Sequence, residues 1–364
     1  MQQRRLDRLV RRQYNGAVTQ RERTPAIIYH PLFLGHDTGE HVESATRLST
    51  LEQALRGSGW WRRDAVLAPS SAPLEWLQRV HAPSYIASVE RLCSRGGGFL
   101  DLDTVVSPGS YRAAFLAAGS GLLAVDLLLA SEPRPSFALV RPPGHHAERA
   151  KAMGFCLFNN IAVAATYALE RYGCERLLIV DFDVHHGNGT QDAFYGDGRV
   201  LYFSTHESPL YPGTGRLAET GEGAGAGANF NLPLPAGVGD AGHLLAFQEV
   251  LLPAARRFRP QLILVSAGYD GHWRDPLAQM ALTITGYGQL VGTLRDLAAE
   301  LCDGRLALFL EGGYDLQALA QGVVGSLDAL AGRPVQDSLG PAPWRAGEPN
   351  VASIVATARR LHAL

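Results

Sequence analysis

The sequence predicts an α/β protein built on one central, mostly parallel sheet with helices on both faces. Two observations carry this. Short apolar, β-branched runs recur as nearly continuous hydrophobic strands, and longer helix-like stretches separate them. The strand candidates are "AIIYH" (26–30), "FALVR" (137–141), "LLIVDFD" (177–183), "VLYFST" (200–205), "LILVSAG" (262–268) and "LALFLEGG" (306–313). Helical patterning lies near 110–130, 159–172, 241–258 and 286–303.

A third observation concerns where these runs end. His30, Arg141 to His146, Asp181 to His186, Ser204 to His206, Asp270, and Glu311 to Tyr314 all sit at or just past a strand candidate. In open parallel sheets ligands bind in the crevice at the carboxyl ends of the strands. Clusters scattered in sequence are therefore expected to converge on one sheet edge. The stretch "GEGAGAGANFNLPLPAG" (221–237) reads as a flexible loop, and "GRPVQDSLGPAPWRAGEPN" (332–350) as a surface wrap.

Composition narrows the class. The chain has 364 residues, 46% hydrophobic and 19% charged, with net charge −2, which suits a soluble domain with a sizeable core. That balance argues against direct nucleic-acid binding and against a membrane-surface binder. The most apolar run, "AAFLAAGSGLLAVDLLLA", carries Asp126 and two glycines and reads as a buried helix. Cys93, Cys156, Cys174 and Cys302 are widely spaced with no CxxC, so a reducing cytoplasm is the expected setting. Lys151 is the only lysine among 33 Lys and Arg residues, a bias attributed to a bacterial genome. Residues 1–24 are arginine-rich and read as a basic arm; residues 25–364 read as one domain.

The chemistry concentrates in "DFDVHHGNGTQ". In extended backbone, side chains at i, i+2 and i+4 share a face, so Asp181, Asp183 and His185 are expected to point together while Phe182 and Val184 pack. Two carboxylates and an imidazole form a natural divalent-metal nest, and a catalytic zinc takes three protein ligands. Asp270, just past an apolar strand in "SAGYDGHWRDPL", is a further ligand candidate; Asp275, before Pro276, is expected to cap a turn. The pair in "RPPGHH" suits proton transfer better than chelation, because adjacent side chains diverge. Asp181 and Asn188 are natural partners for His145 and His146. Tyr314, after "EGG", places a phenol where it could donate to a developing oxyanion; a packed aromatic is the plainer reading.

Together "RPPGHHAERAKAMGFCLFNN", "DFDVHHGNGTQ", "STHESPLYPGTG", "SAGYDGHWRDPLAQM" and "EGGYDL" resemble the histone deacetylase superfamily, in order, from about residue 25 to about residue 335. The class II-like and bacterial amidohydrolase branch fits best. The resemblance implies the three-layer arginase/deacetylase fold and one zinc held by Asp183, His185 and Asp270. It pairs His145 with Asp181 and His146 with Asn188. His146 would act as general base and acid, His145 electrostatically, and Tyr314 as donor to the tetrahedral oxyanion. Gly154, Phe155, Tyr211, Leu277 and Gly313 would form the substrate-binding set of a tunnel for an acyl-lysine-like arm. A structural potassium or sodium ion is implied near Asp181, Asp183, His185 and Ser204. Arg47 resembles an arginine behind the site, and Cys156 would lie close by without acting as a nucleophile. His36, His41 and Glu43 share that loop, with a rim role and a structural one both open.

Departures from the family pattern matter as much. Asn188 stands where some branches carry Asp, and Leu277 stands where polyamine-specific members can carry an acidic gate. The rim aspartate has no clear match in "GGGFLDLDT", with Asp101 nearest; His186 is assigned to the fold. The expected activity is removal of acetyl or other acyl groups from lysine side chains of peptides or from small amines. An acetylpolyamine amidohydrolase is the alternative, and a silent acyl-binding module or an arginase-like ureohydrolase fits less well. Oligomeric state stays open, and carboxylate and imidazole ligands accept ferrous iron as well as zinc.

Overall fold

The computed structural model describes residues 24–343 and 347–364. The basic arm read in residues 1–24 therefore lies, but for Thr24, outside the described residues. The strands are β1 (Ala26–Ile28), β2 (Val66–Leu67), β3 (Gly98–Phe99), β4 (Val105–Val106), β5 (Ser136–Ala138), β6 (Leu177–Asp181), β7 (Val200–Glu207), β8 (Asn229–Leu234), β9 (Leu262–Ala267) and β10 (Leu306–Leu310). Eight of them form one sheet in the order β2-β1-β5-β10-β9-β6-β7-β8, and β3 pairs with β4 in a small hairpin. Every pairing in the large sheet is parallel. That is the arrangement expected of strands buried on both faces, and β6, β7, β9 and β10 are buried throughout.

The strand order explains how the site assembles. The chain lays down β1, β2 and β5, then β6 to β8, and only afterwards inserts β9 and β10 between the two halves. The four neighbours β5-β10-β9-β6 are the strands followed by His145 and His146, Tyr314, Asp270, and Asp183 and His185. Four distant segments thus open onto one sheet edge.

Several boundaries differ from those expected. β6 ends at Asp181 and β10 at Leu310, so the residues that follow are loop, free to turn their side chains individually. Strict i, i+2, i+4 alternation therefore stops at Asp181. The region 221–237 contains β8, an edge strand that its Asn, Pro and Gly content conceals. Pro233 is tolerated there because the outer side of an edge strand needs no ladder donor. The 241–258 stretch is helical throughout but carries a π turn at Phe247–Leu251. Helix Leu316–Leu330 was not expected, although Asp315 caps it by accepting from Gln317 N and Ala318 N. The wrap ends in helix Ala352–Leu361, after which His362 stacks on Phe230 of β8 at 3.6 Å.

Helix Ser110–Leu128 is long and apolar enough to cross a membrane by length and composition. Here it lies against helix Asn160–Arg171 and the sheet, mostly buried. One contiguous apolar core runs from Ile27 to Ala358.

Candidate active site

A cavity of about 230 Å³ opens at the shared strand edge, and His145, His146, Asp183, His185 and Tyr314 line it. Its walls are Gly154, Phe155, Leu210, Tyr211 and Leu277, with Asp103 also in contact. Phe155 holds φ +68°, a strained conformation for a bulky residue, and follows Gly154 at φ +54°. A side chain on Gly154 would run into the His146 ring, so only glycine lets the chain pass there. The Tyr211 ring stands edge-on to His146 at 5.2 Å, and the Phe155 ring edge-on to Tyr314 at 5.8 Å.

The metal candidates come together. Asp183, His185 and Asp270 each offer a donor atom within 4.8 Å of the others. His185 Nδ1 lies 3.2 Å from both Asp183 Oδ1 and Asp270 Oδ2. The remaining carboxylate oxygens are oriented by the main chain: Gly312 N donates to Asp183 Oδ2 at 2.8 Å, and Val184 N to Asp270 Oδ1 at 3.0 Å. Two carboxylates this deeply buried are costly without a cation, so the donor set fits a divalent ion. Burial alone would lower His185, but its hydrogen bonds to Asp183 and Asp270 lift it to about 10. Burial would raise Asp183, yet neighbouring His145 and His185 hold it well below the usual range. Asp181 stays outside this cluster.

The other histidine pair has two different partners. His145 Nδ1 faces Asp181 Oδ2 at 3.1 Å. Burial pushes its pKa down, but the Asp183 and Asp181 carboxylates outweigh that and raise it to about 10. His146 Nδ1 faces Asn188 Oδ1 at 2.8 Å. Asn188 Nδ2 donates to Glu148 Oε1 at 2.8 Å, which settles the amide orientation: His146 must carry its proton on Nδ1 and leave Nε2 free as an acceptor. Burial, followed by repulsion from His145 and His185, keeps His146 neutral and well below its ordinary pKa.

Two buried carboxylates hold the backbone under these groups, and sequence reading assigned neither of them this job. Glu311 Oε2 accepts from Gly144 N at 2.6 Å and His145 N at 3.2 Å, while Oε1 accepts from Ser266 Oγ at 3.1 Å. Asp275 does cap its turn, through Leu277 N at 3.0 Å. Its other oxygen also accepts from Tyr314 N at 2.6 Å and Asp315 N at 3.2 Å. Burial pushes each of these carboxyls up to about 7. The "EGGY" context offered a signal: an acid at a strand end without a ligand role needs main-chain donors.

Other expectations shift. Gly312 lines the cavity instead of Gly313, whose carbonyl turns away and accepts from Arg47 Nε at 2.8 Å. Asp103 reaches the cavity, whereas Asp101 accepts from the neighbouring Leu102 N at 2.7 Å. The β3–β4 hairpin decides which aspartate turns inward, and two-residue strands leave no periodic trace. His36 and Glu43 are buried in the fold, with Glu43 gripped by Arg141 at 2.6 Å and Arg47 at 3.1 Å. His41 packs edge-on to Phe155 at 4.7 Å. Cys156 is buried beside the site, its thiol pushed up by burial and donating to Gly154 O at 3.3 Å. Tyr314 keeps its proton, because burial raises it well above the ordinary value.

A family model described as "Histone deacetylase domain" matches residues 41–330. The chain belongs to the histone deacetylase family. It is 43% identical over 318 residues to histone deacetylase 10, chloroplastic, of Oryza sativa subsp. japonica, covering 83% of this chain and 72% of the rice protein. It is 40% identical over 337 residues to the polyamine deacetylase HDAC10 of Mus musculus, covering 86% of this chain and 49% of the mouse protein. The crystal structure of the HDA15 HD domain superposes with a TM-score of 0.83 at 35% identity, covering 93% of this chain and 95% of that one. The three-layer expectation thus holds for this deacetylase-family member.

Proposed function

We propose that this chain is a zinc-dependent amidohydrolase that removes acetyl or similar acyl groups from lysine side chains, releasing acetate or the corresponding carboxylate and the free amine. The observation that carries the reading is the His146 tautomer: a neutral imidazole with Nε2 free, in the same cavity as Asp183, His185 and Tyr314. A zinc ion held by Asp183, His185 and Asp270 would supply Lewis acidity toward the acyl carbonyl and acidify a water. Ferrous iron suits the same donors.

His146 Nε2 takes a proton as water oxygen adds to the acyl carbon, and returns it to the departing nitrogen as the C–N bond breaks. His145, whose Nδ1 faces the Asp181 carboxylate, would stabilise the negative charge that builds up. The Tyr314 hydroxyl donates to the former carbonyl oxygen. Phe155, Tyr211 and Leu277 give the methylene arm apolar walls and keep bulk water out. A potassium or sodium ion beneath Asp181, Asp183, His185 and Ser204 would stiffen the loop; the parallel register that sets Asp181 against Ser204 supports that placement.

A small polyamine is the second reading, favoured by one observation: Asp103 puts a carboxylate at the cavity, where it would bind a substrate ammonium. Leu277 in the wall, not an acid, weighs for the lysine arm. Turnover of acetyl-lysine peptides against acetylated polyamines separates the two. For the core reading, Asp183→Ala and His185→Ala should each lose bound zinc, by metal analysis, together with deacetylation. Full activity in a metal-free variant would overturn it.

A further inference from the structure

The chemistry uses three of the four imidazoles in the two histidine pairs. His186 is the exception, yet both of its ring nitrogens are engaged. Nε2 lies 3.0 Å from Gln191 Oε1, and Nδ1 lies 2.7 Å from Thr214 Oγ1. Gln191 Nε2 donates to Glu219 Oε2 at 2.9 Å, so its Oε1 is an acceptor. His186 therefore donates from Nε2, and the Thr214 hydroxyl donates to Nδ1.

Thr214 lies three residues beyond Tyr211, in the segment that follows β7. That segment rests on a built seat. Gly215 holds φ +85°, and a side chain there would begin 2.5 Å from His206 Nε2 and 2.6 Å from His186 Cγ. The backbone thus lies directly on two imidazoles whose centroids are 4.8 Å apart. His206 Nε2 donates to Gly215 O at 3.0 Å, and Gly215 N donates to Glu219 Oε2 at 3.2 Å. Beneath them, Asn231 Nδ2 and Asn229 Nδ2 hold Gln191 Oε1 at 2.7 Å and 3.0 Å. The network is continuous from β8 to Gly215, with only Asn229 Oδ1 and Asn231 Oδ1 left without a partner in it, and it carries a segment whose Leu210 and Tyr211 wall the cavity.

We propose that His186 is a positioning residue for substrate fit. It ties the Leu210–Tyr211 wall, through Thr214, to the segment bearing His185, and so sets the width of the tunnel. This rests on the reading of the cavity as a tunnel for an acylated amine arm. The seat touches neither the acyl carbon nor a metal donor, so loosening it should change binding of the arm and leave the chemical step alone.

The test is Thr214→Val, which removes the hydroxyl at nearly constant shape, beside Thr214→Ser, which keeps it. For an acetyl-lysine peptide, Thr214→Val should raise KM about fivefold or more, the scale of one lost hydrogen bond, with kcat within about twofold. Bound zinc should stay at the wild-type level, and Thr214→Ser should behave as wild type. Amide hydrogen exchange across 208–216 should quicken in Thr214→Val and in His186→Phe. An unchanged KM, or a fall in kcat that accounts for the whole loss in kcat/KM, overturns the proposal. If the wild type turns over no acylated amine, the proposed function fails on its own. Hydrogen exchange then decides the seat, because unchanged exchange in Thr214→Val refutes it and faster exchange upholds it.

Discussion

His145–His146 and His185–His186 are both adjacent pairs at strand ends, and they are deployed in opposite ways. In the first pair both rings face the cavity, with centroids 4.0 Å apart. In the second only His185 does, while His186 turns back into the fold. Partner chemistry follows a rule across all four. Rings set against carboxylates, His145 and His185, are raised to about 10, while burial holds His146 and His186, with amide or hydroxyl partners, below their ordinary value. Position in the sequence does not assign a histidine its job. The groups its ring nitrogens meet do.

The sharpest way to break this comparison is to remove one ring from each pair. His146→Ala should lower kcat by about 10²–10⁴-fold, the usual contribution of a general base, while zinc content and KM stay near wild type. His186→Ala should keep its zinc and most of its kcat. Equal kcat losses in the two variants, measured on one acetyl-lysine peptide, would erase the distinction.

A smaller effect is expected at the two carboxylates beneath the site, and it depends on what meets the second oxygen. Glu311 Oε1 meets a serine hydroxyl, which can accept as well as donate, so Glu311→Gln can reorganise and should keep kcat within about threefold. Asp275 Oδ1 meets Leu277 N–H, and Oδ2 meets two more amides. An asparagine must present an N–H to one of those donors, so Asp275→Asn should lower kcat about tenfold and cost ~1–3 kcal/mol of stability. Kinetics and urea unfolding of both variants check the contrast; parity between them would mean that charge, not hydrogen-bond direction, holds Tyr314.

These examples also show what could be read from the chain. The sheet and the donor set were legible because each strand is a hydrophobic run ending in chemistry, which pattern alone exposes. "DFDVHH" announced its ligands, although loop geometry after Asp181, not strand alternation, is what presents Asp183 and His185. Glu311 was visible as a strand-end acid, but its amide partners lie 166 and 167 residues away, a separation that no local pattern encodes. β8 stayed hidden because its residues suit turns and only its place at the sheet edge makes them a strand. Asp103 was passed over for Asp101 because both lie in the loop between two-residue strands, where no periodic pattern says which one turns inward.

The mildest prediction extends the partner rule to histidines far from the cavity. His81 is buried, with Nδ1 2.9 Å from Glu148 O and Nε2 accepting from Asn159 N at 2.8 Å. Both sites are used by the neutral ring, and burial lowers its pKa to about 4. His362, stacked on Phe230, is likewise lowered to about 4, chiefly by burial. In the unfolded chain each would titrate near 6.5, so the folded state binds fewer protons between about 6.5 and 4. The stability from keeping these rings neutral is present above pH 6.5 and is lost as pH falls toward 4. Each ring contributes a slope of up to ~1.4 kcal/mol per pH unit. Glu311 and Asp275, raised to about 7, bind protons in the folded state over the same range and oppose this, so the histidine contribution is read as a difference: from pH 7 to pH 5 the Tm of His81→Gln, whose side chain takes up no proton, should lose less than that of the wild type. Parallel Tm curves for the wild type and His81→Gln would show that this buried ring with neutral partners still accepts a proton freely, and the rule drawn from the two pairs would fail outside the site.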